Sequence, residues 1–131
     1  MNIGEVVEAT GLPAKTIRYY ESVGLIEPPA RSAGNYRRYD ERHLATLRFI
    51  QHARRLGFSV KEVAALVALW RDKRRASADV RRLAAAHLDE IDGRIAELKR
   101  MRQTLERLVE RCHGDHRPDC PILDELAEEL G

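Results

Sequence analysis

Apolar residues recur at helical spacing in six segments of the chain, and residues that begin helices precede most of these segments. Asn2 with Glu5 and Ser59 with Glu62 have the spacing of capping boxes, and Asp40 is a typical N-cap. The predicted helices cover residues 3–10, 13–22, 41–56, 60–70, 77–111 and a short stretch that begins at 121. The pattern therefore predicts a mainly α-helical protein.

The first two predicted helices are separated by a short break at Gly11 and Pro13, with Pro13 expected at the first position of the second helix. A short helix, a tight turn and a second helix within about two dozen residues form the pattern of a helix-turn-helix. Ile17 is expected to face inward. The second helix carries Lys15, Thr16, Arg18, Tyr19 and Tyr20. Arg18 and Tyr19 are expected to reach DNA bases or phosphates, whereas Tyr20 fits an interior position equally well.

Residues 31–39 follow two prolines and predict a small β-hairpin, with Gly34 and Asn35 at turn positions that require positive φ. Alternation along the second strand places Tyr36 and Arg38 on one side, and Arg37 and Tyr39 on the other. Such a hairpin beside a helix-turn-helix is a wing, whose Arg and Tyr residues can contact phosphates. Packing within the hairpin is the alternative for both tyrosines.

The long predicted helix shows a heptad pattern. One seam position holds Leu88, Ile95, Arg102 and Val109, and the other holds Ile91, Leu98, Leu105 and Cys112. A narrow apolar seam on a long polar helix is too extended for a small domain to cover. The sequence therefore predicts that this helix pairs with its counterpart in a homodimer, and that Ser77 is its N-cap.

Composition and charge indicate which class of partner the protein is expected to bind. The 131 residues are 44% hydrophobic, 34% charged and only 5% aromatic, which fits helices with wet outer faces. Between residues 31 and 55, seven Arg residues stand against Asp40 and Glu41, a balance that suits nucleic acid, although a solvated surface explains it equally. With no apolar run of about 20 residues and no secretory signal, the chain is expected to be cytoplasmic and away from membranes.

The two cysteines, Cys112 and Cys120, flank a loop between the long helix and the last one. In a reducing cytosol such a pair is more naturally a metal or redox site than a structural disulfide. Two soft thiolates suit a monovalent d¹⁰ ion such as Cu(I) or Ag(I) in two-coordination. Together with His113 and His116 they could instead form a four-ligand zinc site, and inert or redox-active thiols are a third possibility.

Other chemistry is less favoured by the sequence. A Cys and His nucleophile pair lacks a third, orienting residue, so an enzyme is not expected. His43, His52 and His87 lie on predicted helices and are expected at the surface. In the last helix, Ile122, Leu123, Leu126 and Leu130 are expected to form the packing face.

Short motifs along the whole chain form a combination that is more specific than any one of them. They are Asn2-Ile-Gly-Glu, Gly11-Leu, Thr16-Ile-Arg-Tyr-Tyr-Glu21, Gly24-Leu-Ile, Arg31-Ser, Tyr36-Arg37, Tyr39, Arg55-Leu-Gly-Phe58 and the Cys112 to Cys120-Pro-Ile tail. Together these motifs resemble the MerR family of winged-helix regulators, in its copper-efflux branch. The resemblance implies a homodimer joined by an antiparallel coiled coil on a promoter with an overlong spacer. Metal binding would then distort the DNA so that RNA polymerase can transcribe copper or silver resistance genes.

The resemblance also implies roles for single residues. Cys112 and Cys120 match linear ligands of Cu(I), Ag(I) or Au(I), one ion per protomer. Ser77 matches a position at which sensors of divalent or mercuric ions have Cys. The resemblance implies that this position lies next to the metal site of the partner chain. In the DNA-binding part, the matching positions are Arg18, Tyr19, Arg31, Tyr36, Arg37 and Tyr39, beside Lys15 and Thr16 on the same helix. Two features depart from the family pattern. Asn35 replaces the usual Gly before Tyr36. His113 and His116 replace residues of the loop that are not ligands in the family, so a sensor of zinc or another divalent ion is the alternative.

The expected organisation has four parts. A winged helix-turn-helix domain covers residues 1–70 and a hinge covers 71–76. A dimerisation helix covers 77–111, and a metal-binding loop with a short helix covers 112–131.

Overall fold

The computed structural model describes residues 1–128 and is mainly helical, as the sequence predicts. The elements are α1 (Ile3–Thr10), α2 (Ala14–Ser22), β1 (Ala30–Arg31), β2 (Arg37–Arg38), α3 (Glu41–Arg55), α4 (Val60–Arg71), α5 (Ser77–Arg111) and α6 (Pro121–Ala127). The chain divides into two compact units, described separately below: an N-terminal unit, Met1–Leu83, and a C-terminal unit that begins at Ala84.

Capping side chains fix where α1, α3 and α4 begin. In α1 the Asn2 side chain accepts from the Glu5 N–H at 2.9 Å, and the Glu5 carboxylate accepts from the Asn2 N–H at 3.3 Å. Ser59 and Glu62 form the same reciprocal pair at α4. Pro13, expected at the first helical position, instead caps α2 with an extended backbone. Both predicted capping boxes are therefore confirmed, and the start of α2 is one residue later than predicted.

The core of the N-terminal unit lies between α1, α2, α3 and α4. α1 packs against α2 and α3, and α3 packs against α4. Val6, Ile17, Leu47, Ile50 and Val63 are completely buried there. Leu47 and Ile50 lie three residues apart on α3, so they share one face of that helix, and burial of this face accounts for its packing.

The predicted hairpin is present, with Ala30 opposite Arg38 and Arg31 opposite Arg37 in antiparallel register. Asn35 has a φ of 65°, as expected for the turn. Gly34 does not, so only one of the two turn residues adopts positive φ and the prediction for Gly34 was wrong. The Ser32 N–H donates to the Tyr36 carbonyl at 2.9 Å, and Asn35 closes the turn onto Ser32.

The C-terminal unit contains the rest of α5, the loop that follows it and α6. Leu108 is buried, while large apolar side chains of the predicted seam are exposed in the single chain. These are Leu88, Ile95, Leu98, Leu105 and Val109. Leu123 and Leu126 of α6 are exposed as well, and Leu130, predicted on the same face, lies outside the described residues. Within residues 1–128, the helices are too short or too polar to cross a bilayer.

Candidate functional site

Helix α2 presents the face that the sequence predicts for DNA. Lys15, Arg18 and Tyr19 are exposed, and Thr16 is half-buried. Ile17 points into the core, and so does Tyr20, for which the sequence left two positions open. The exposed side of the helix is therefore basic and aromatic, while its inner side holds it to α1.

The wing displays Arg31 and Tyr36 at its surface. An Arg31 terminal nitrogen donates to the Asn35 carbonyl at 3.4 Å, across the turn. The Tyr36 ring is 75% exposed, and its N–H donates to the Ser32 hydroxyl at 3.2 Å. Both side chains are thus held near the tip of the hairpin and remain accessible to a ligand.

Tyr39 is a core residue of the wing, with only 2% of its surface exposed. Its ring meets the His43 ring edge-on, with centroids 5.4 Å apart. The hydroxyl donates to Glu21 Oε2 at 3.3 Å, and burial, together with the Glu21 charge, raises the pKa of Tyr39. The structure corresponds to the packing alternative for Tyr39, not to a surface phosphate contact, because strand alternation turns this side chain inward.

Arg37 lies on the same side of the strand as Tyr39 and is half-buried. Its Nε donates to Glu21 Oε2 at 3.2 Å. Glu21 comes from α2, so an acidic residue joins the exposed helix to the wing. The alternation predicted for the strand is confirmed, since Tyr36 and Arg38 are exposed on the other side.

His43 is buried, contrary to the surface position expected from the sequence. Its Nδ1 lies 3.1 Å from the Asp40 backbone nitrogen and 2.9 Å from the Asp40 carboxylate, and its Nε2 lies 3.0 Å from the Glu27 carbonyl oxygen. The His43 N–H in turn donates to the Asp40 carboxylate, which lowers the pKa of Asp40. A histidine thus takes the place that Glu or Gln usually has in a capping box. His87 is also buried, and His52 is exposed as expected.

The two cysteines stand at the two ends of the loop in the C-terminal unit. Cys112 directly follows α5, and its N–H donates to the Leu108 and Val109 carbonyls at 3.1 and 3.2 Å. Cys120 is the N-cap of α6, and its carbonyl accepts from the Asp124 N–H at 3.0 Å. Both are free thiols and half-buried. Helix ends therefore fix the backbone at both sulfur-bearing residues.

The loop between them has its own internal bonds. Gly114 adopts a φ of 65°, and Arg117 Nε donates to the Asp115 carboxylate at 2.8 Å. His113 and His116 are exposed. Ser77 is exposed and is the first residue of α5, so the helix includes the residue that was predicted to be its N-cap.

Comparison with known proteins identifies the family. The family described as "MerR HTH family regulatory protein" matches residues 1–69, and the one described as "MerR, DNA binding" matches residues 44–108. The chain belongs to the MerR family. Its regulators act in transcription and are not enzymes, which confirms both expectations from the sequence.

Two relatives of this MerR protein support the resemblance to the copper-efflux branch. The regulator HmrR of Rhizobium leguminosarum is 57% identical over 98% of each chain. The regulator CueR of Salmonella typhimurium is 46% identical over 97% of this chain and 92% of its own. Among solved structures, the regulator PbrR691 from Ralstonia metallidurans, crystallised with lead(II), superimposes with a TM-score of 0.84 at 35% identity, covering 97% of this chain and 99% of that one.

Proposed function

We propose that this MerR-family protein is a homodimeric, metal-responsive activator that binds promoter DNA and responds to Cu(I), Ag(I) or Au(I) through Cys112 and Cys120. The observation that carries the proposal is the position of these two thiols, half-buried at opposite ends of one loop. They are the only two cysteines in the sequence. The likeness to HmrR and CueR supports the copper-efflux assignment.

The donor set favours a monovalent ion. Two thiolates are soft ligands that satisfy a d¹⁰ ion at low coordination number. A third thiolate is missing from the position of Ser77, which would stand beside the site from the partner chain. Both loop histidines are exposed, so a zinc site would need them to turn inward and lose their hydration. That site is the competing outcome of the experiment below, because PbrR691 was crystallised with a divalent ion.

The DNA-binding surface in this proposal combines the exposed side of α2 with the wing. It uses Lys15, Thr16, Arg18, Tyr19, Arg31, Tyr36 and Arg37, with Tyr39 packed behind them. Arg and Lys contacts with phosphates release counterions, so affinity should fall steeply with salt. The excess of Arg between residues 31 and 55 supports the same partner.

Dimerisation in this proposal covers the exposed seam of α5 with the α5 of a second copy, in antiparallel orientation. Leu98 is 60% and Val109 61% exposed in the single chain, which is costly for side chains of this size. Arg102 interrupts the seam and pairs with Glu106 of its own helix at 2.9 Å. Its charge is therefore already compensated where a partner would approach.

Activation requires two arrangements of the DNA-bound dimer that hold the ion with unequal affinity, since equal affinity would shift nothing. Cys112 and Cys120 would tie the end of α5 to the start of α6. The apolar residues of α6 would then pack on the partner and favour the arrangement in which the promoter is distorted for RNA polymerase.

The test is an anaerobic titration of the reduced protein with Cu(I) and, separately, Zn(II), each against a strong competing chelator, followed by transcription from bound DNA. We expect tight Cu(I) binding, one ion per protomer, with activation, and weak or inactive Zn(II). Tight Zn(II) binding with activation would contradict the monovalent assignment and direct mutagenesis to His113 and His116. Activation by oxidant without metal would contradict metal sensing and indicate a thiol redox sensor.

A further inference from the structure

Glu21 connects two parts of the proposed DNA-binding surface through one carboxylate oxygen. It lies in the last turn of α2, and only 15% of its side chain is exposed. Its Oε2 accepts from Arg37 Nε at 3.2 Å and from the Tyr39 hydroxyl at 3.3 Å. Both donors come from the strand β2 and the residue that follows it, so the contact spans 16 to 18 positions of the sequence.

An acidic residue at this place has an electrostatic cost. The exposed side of α2 and the wing are basic, and a negative charge among them repels the phosphates that they would bind. A partly buried carboxylate also needs hydrogen-bond donors to offset the loss of hydration. Glu21 has such donors in Arg37 and Tyr39. Its contribution to DNA binding would therefore come from the positions in which it holds these two side chains.

The bond with Glu21 uses one part of the Arg37 guanidinium and leaves the rest free. The Nε–H points to the carboxylate, while the two terminal nitrogens carry four further N–H groups. A phosphate can accept two parallel hydrogen bonds from a guanidinium only when the guanidinium plane is correctly oriented. The Arg37 backbone is fixed as well, because it is paired with Arg31 in the hairpin.

We infer that Glu21 is a positioning residue for DNA binding, which orients the Arg37 guanidinium and holds the wing to α2. The inference rests on the proposed role of Arg37 in phosphate contact. It makes an unusual prediction about sign. Removing the negative charge of Glu21 weakens DNA binding, whereas simple electrostatics predicts that it strengthens binding.

The experiment compares Glu21→Gln, Arg37→Ala and the double variant by fluorescence anisotropy, using a duplex selected from a randomised pool with the unmodified protein. Affinity is measured over a range of KCl concentrations. We expect Glu21→Gln to bind about tenfold more weakly and to lose about one unit of salt slope, the signature of one lost phosphate contact. In the Arg37→Ala background the same change should have no further effect, because the group that it orients is gone.

Matched variants separate positioning from charge and from folding. Glu8→Gln removes an exposed acid of α1 and should leave binding unchanged or slightly tighter. Glu21→Asp keeps the charge but is one methylene too short, and it should weaken binding as Gln does. Thermal melts identify any variant that fails to fold. If Glu21→Gln fails to fold, the comparison is made with Glu21→Asp instead.

Two results would overturn the inference: unchanged or tighter binding by Glu21→Gln, or losses that simply add in the double variant. If Arg37→Ala itself binds DNA normally with an unchanged salt slope, the proposed role of Arg37 fails and the inference fails with it. Weaker binding by Arg37→Ala with normal binding by Glu21→Gln contradicts the inference alone.

Discussion

Apolar residues recur at helical spacing in both units, but they form a closed core in the N-terminal unit and an exposed stripe in the C-terminal unit. In the N-terminal unit, short helices joined by turns fold back on one another, and residues such as Val6, Ile17 and Leu47 are fully buried. The C-terminal unit contains most of α5, a helix of 35 residues, and α6, a helix of only 7. Leu98 and Val109 therefore stay exposed. An apolar stripe indicates that a helix has a packing partner, but chain connectivity decides whether the partner lies in the same molecule.

The largest expected effect separates metal response from DNA binding. Cys112→Ser removes one of two proposed ligands and changes the C-terminal unit alone, so activation by Cu(I) should be lost completely. DNA affinity should be unchanged, because the proposed contacts lie in the N-terminal unit. Transcription and anisotropy assays on the same preparation measure both. His113→Ala serves as the control, and activation of the Cys112→Ser protein by copper would contradict the scheme.

A pair of leucine substitutions tests the comparison of the two units directly. Leu47→Ala should cost about 2–5 kcal/mol of unfolding free energy at every protein concentration, because it leaves a cavity in a closed core. Leu98→Ala should act through the dimer, so its effect on the melting temperature should grow as the protein is diluted.

Calorimetry over a hundredfold range of protein concentration, with sedimentation of each variant, distinguishes these cases. A concentration-independent loss for Leu98→Ala would show that the α5 seam is covered within one chain. Leu88→Ala, at another exposed seam position, should repeat the Leu98→Ala result.

Acid pH should affect the N-terminal unit through Asp40. The folded state lowers the pKa of this carboxyl, chiefly through the bond from the His43 N–H, so Asp40 stabilises the fold above the ordinary carboxyl pKa of about 4. The contribution is lost as pH falls through the lower value of the folded state. Asp40→Asn still caps α3 but does not titrate, so its stability relative to the unmodified protein should improve as pH falls below about 4.

Urea unfolding at several pH values checks this expectation, with Glu41→Gln in the same helical turn as the control. A constant difference between the Asp40→Asn and unmodified proteins down to about pH 3 would contradict the role of Asp40.

The smallest expected effect concerns the tip of the wing. A Cβ on Gly34 would lie 3.1 Å from two ring carbons of Tyr36, so Gly34→Ala must displace that ring. The ring is exposed, and the unfolding free energy should therefore change by less than about 0.5 kcal/mol. Urea unfolding measures it, with Ala33→Gly as the control. A loss as large as that of Leu47→Ala would show that Tyr36 is part of the core.

Local signals predicted most helix boundaries correctly. The capping boxes at Asn2 and Ser59 involve atoms three residues apart, so their evidence is contained in short stretches of sequence. The backbone conformation in the turn of the hairpin was less predictable. Gly34 and Asn35 both tolerate positive φ, and only the closed hairpin decides that Asn35 adopts it.

Long-range contacts account for what the sequence did not predict. His43 is interior because the distant Glu27 carbonyl and the Asp40 backbone satisfy its ring, and a histidine at helical spacing gives no sign of such partners. Glu21 was part of a family motif, but its bonds to Arg37 and Tyr39 depend on how the wing closes on α2. Alternation did place Arg37 and Tyr39 on one side, and that signal could have suggested a shared partner.

The connection between α4 and α5 contains Lys73, Arg74 and Arg75, three successive cleavage sites for trypsin. The Arg75 guanidinium donates to the Trp70 and Asp72 carbonyls at 3.0 and 3.1 Å, and the Arg74 N–H donates to the Asp72 carboxylate at 2.9 Å. A protease needs an extended segment, so these bonds must open before the chain is cut. The rate of limited proteolysis at this connection therefore reports how often the end of α4 unravels, a local opening that spectroscopic melting of the whole protein does not detect.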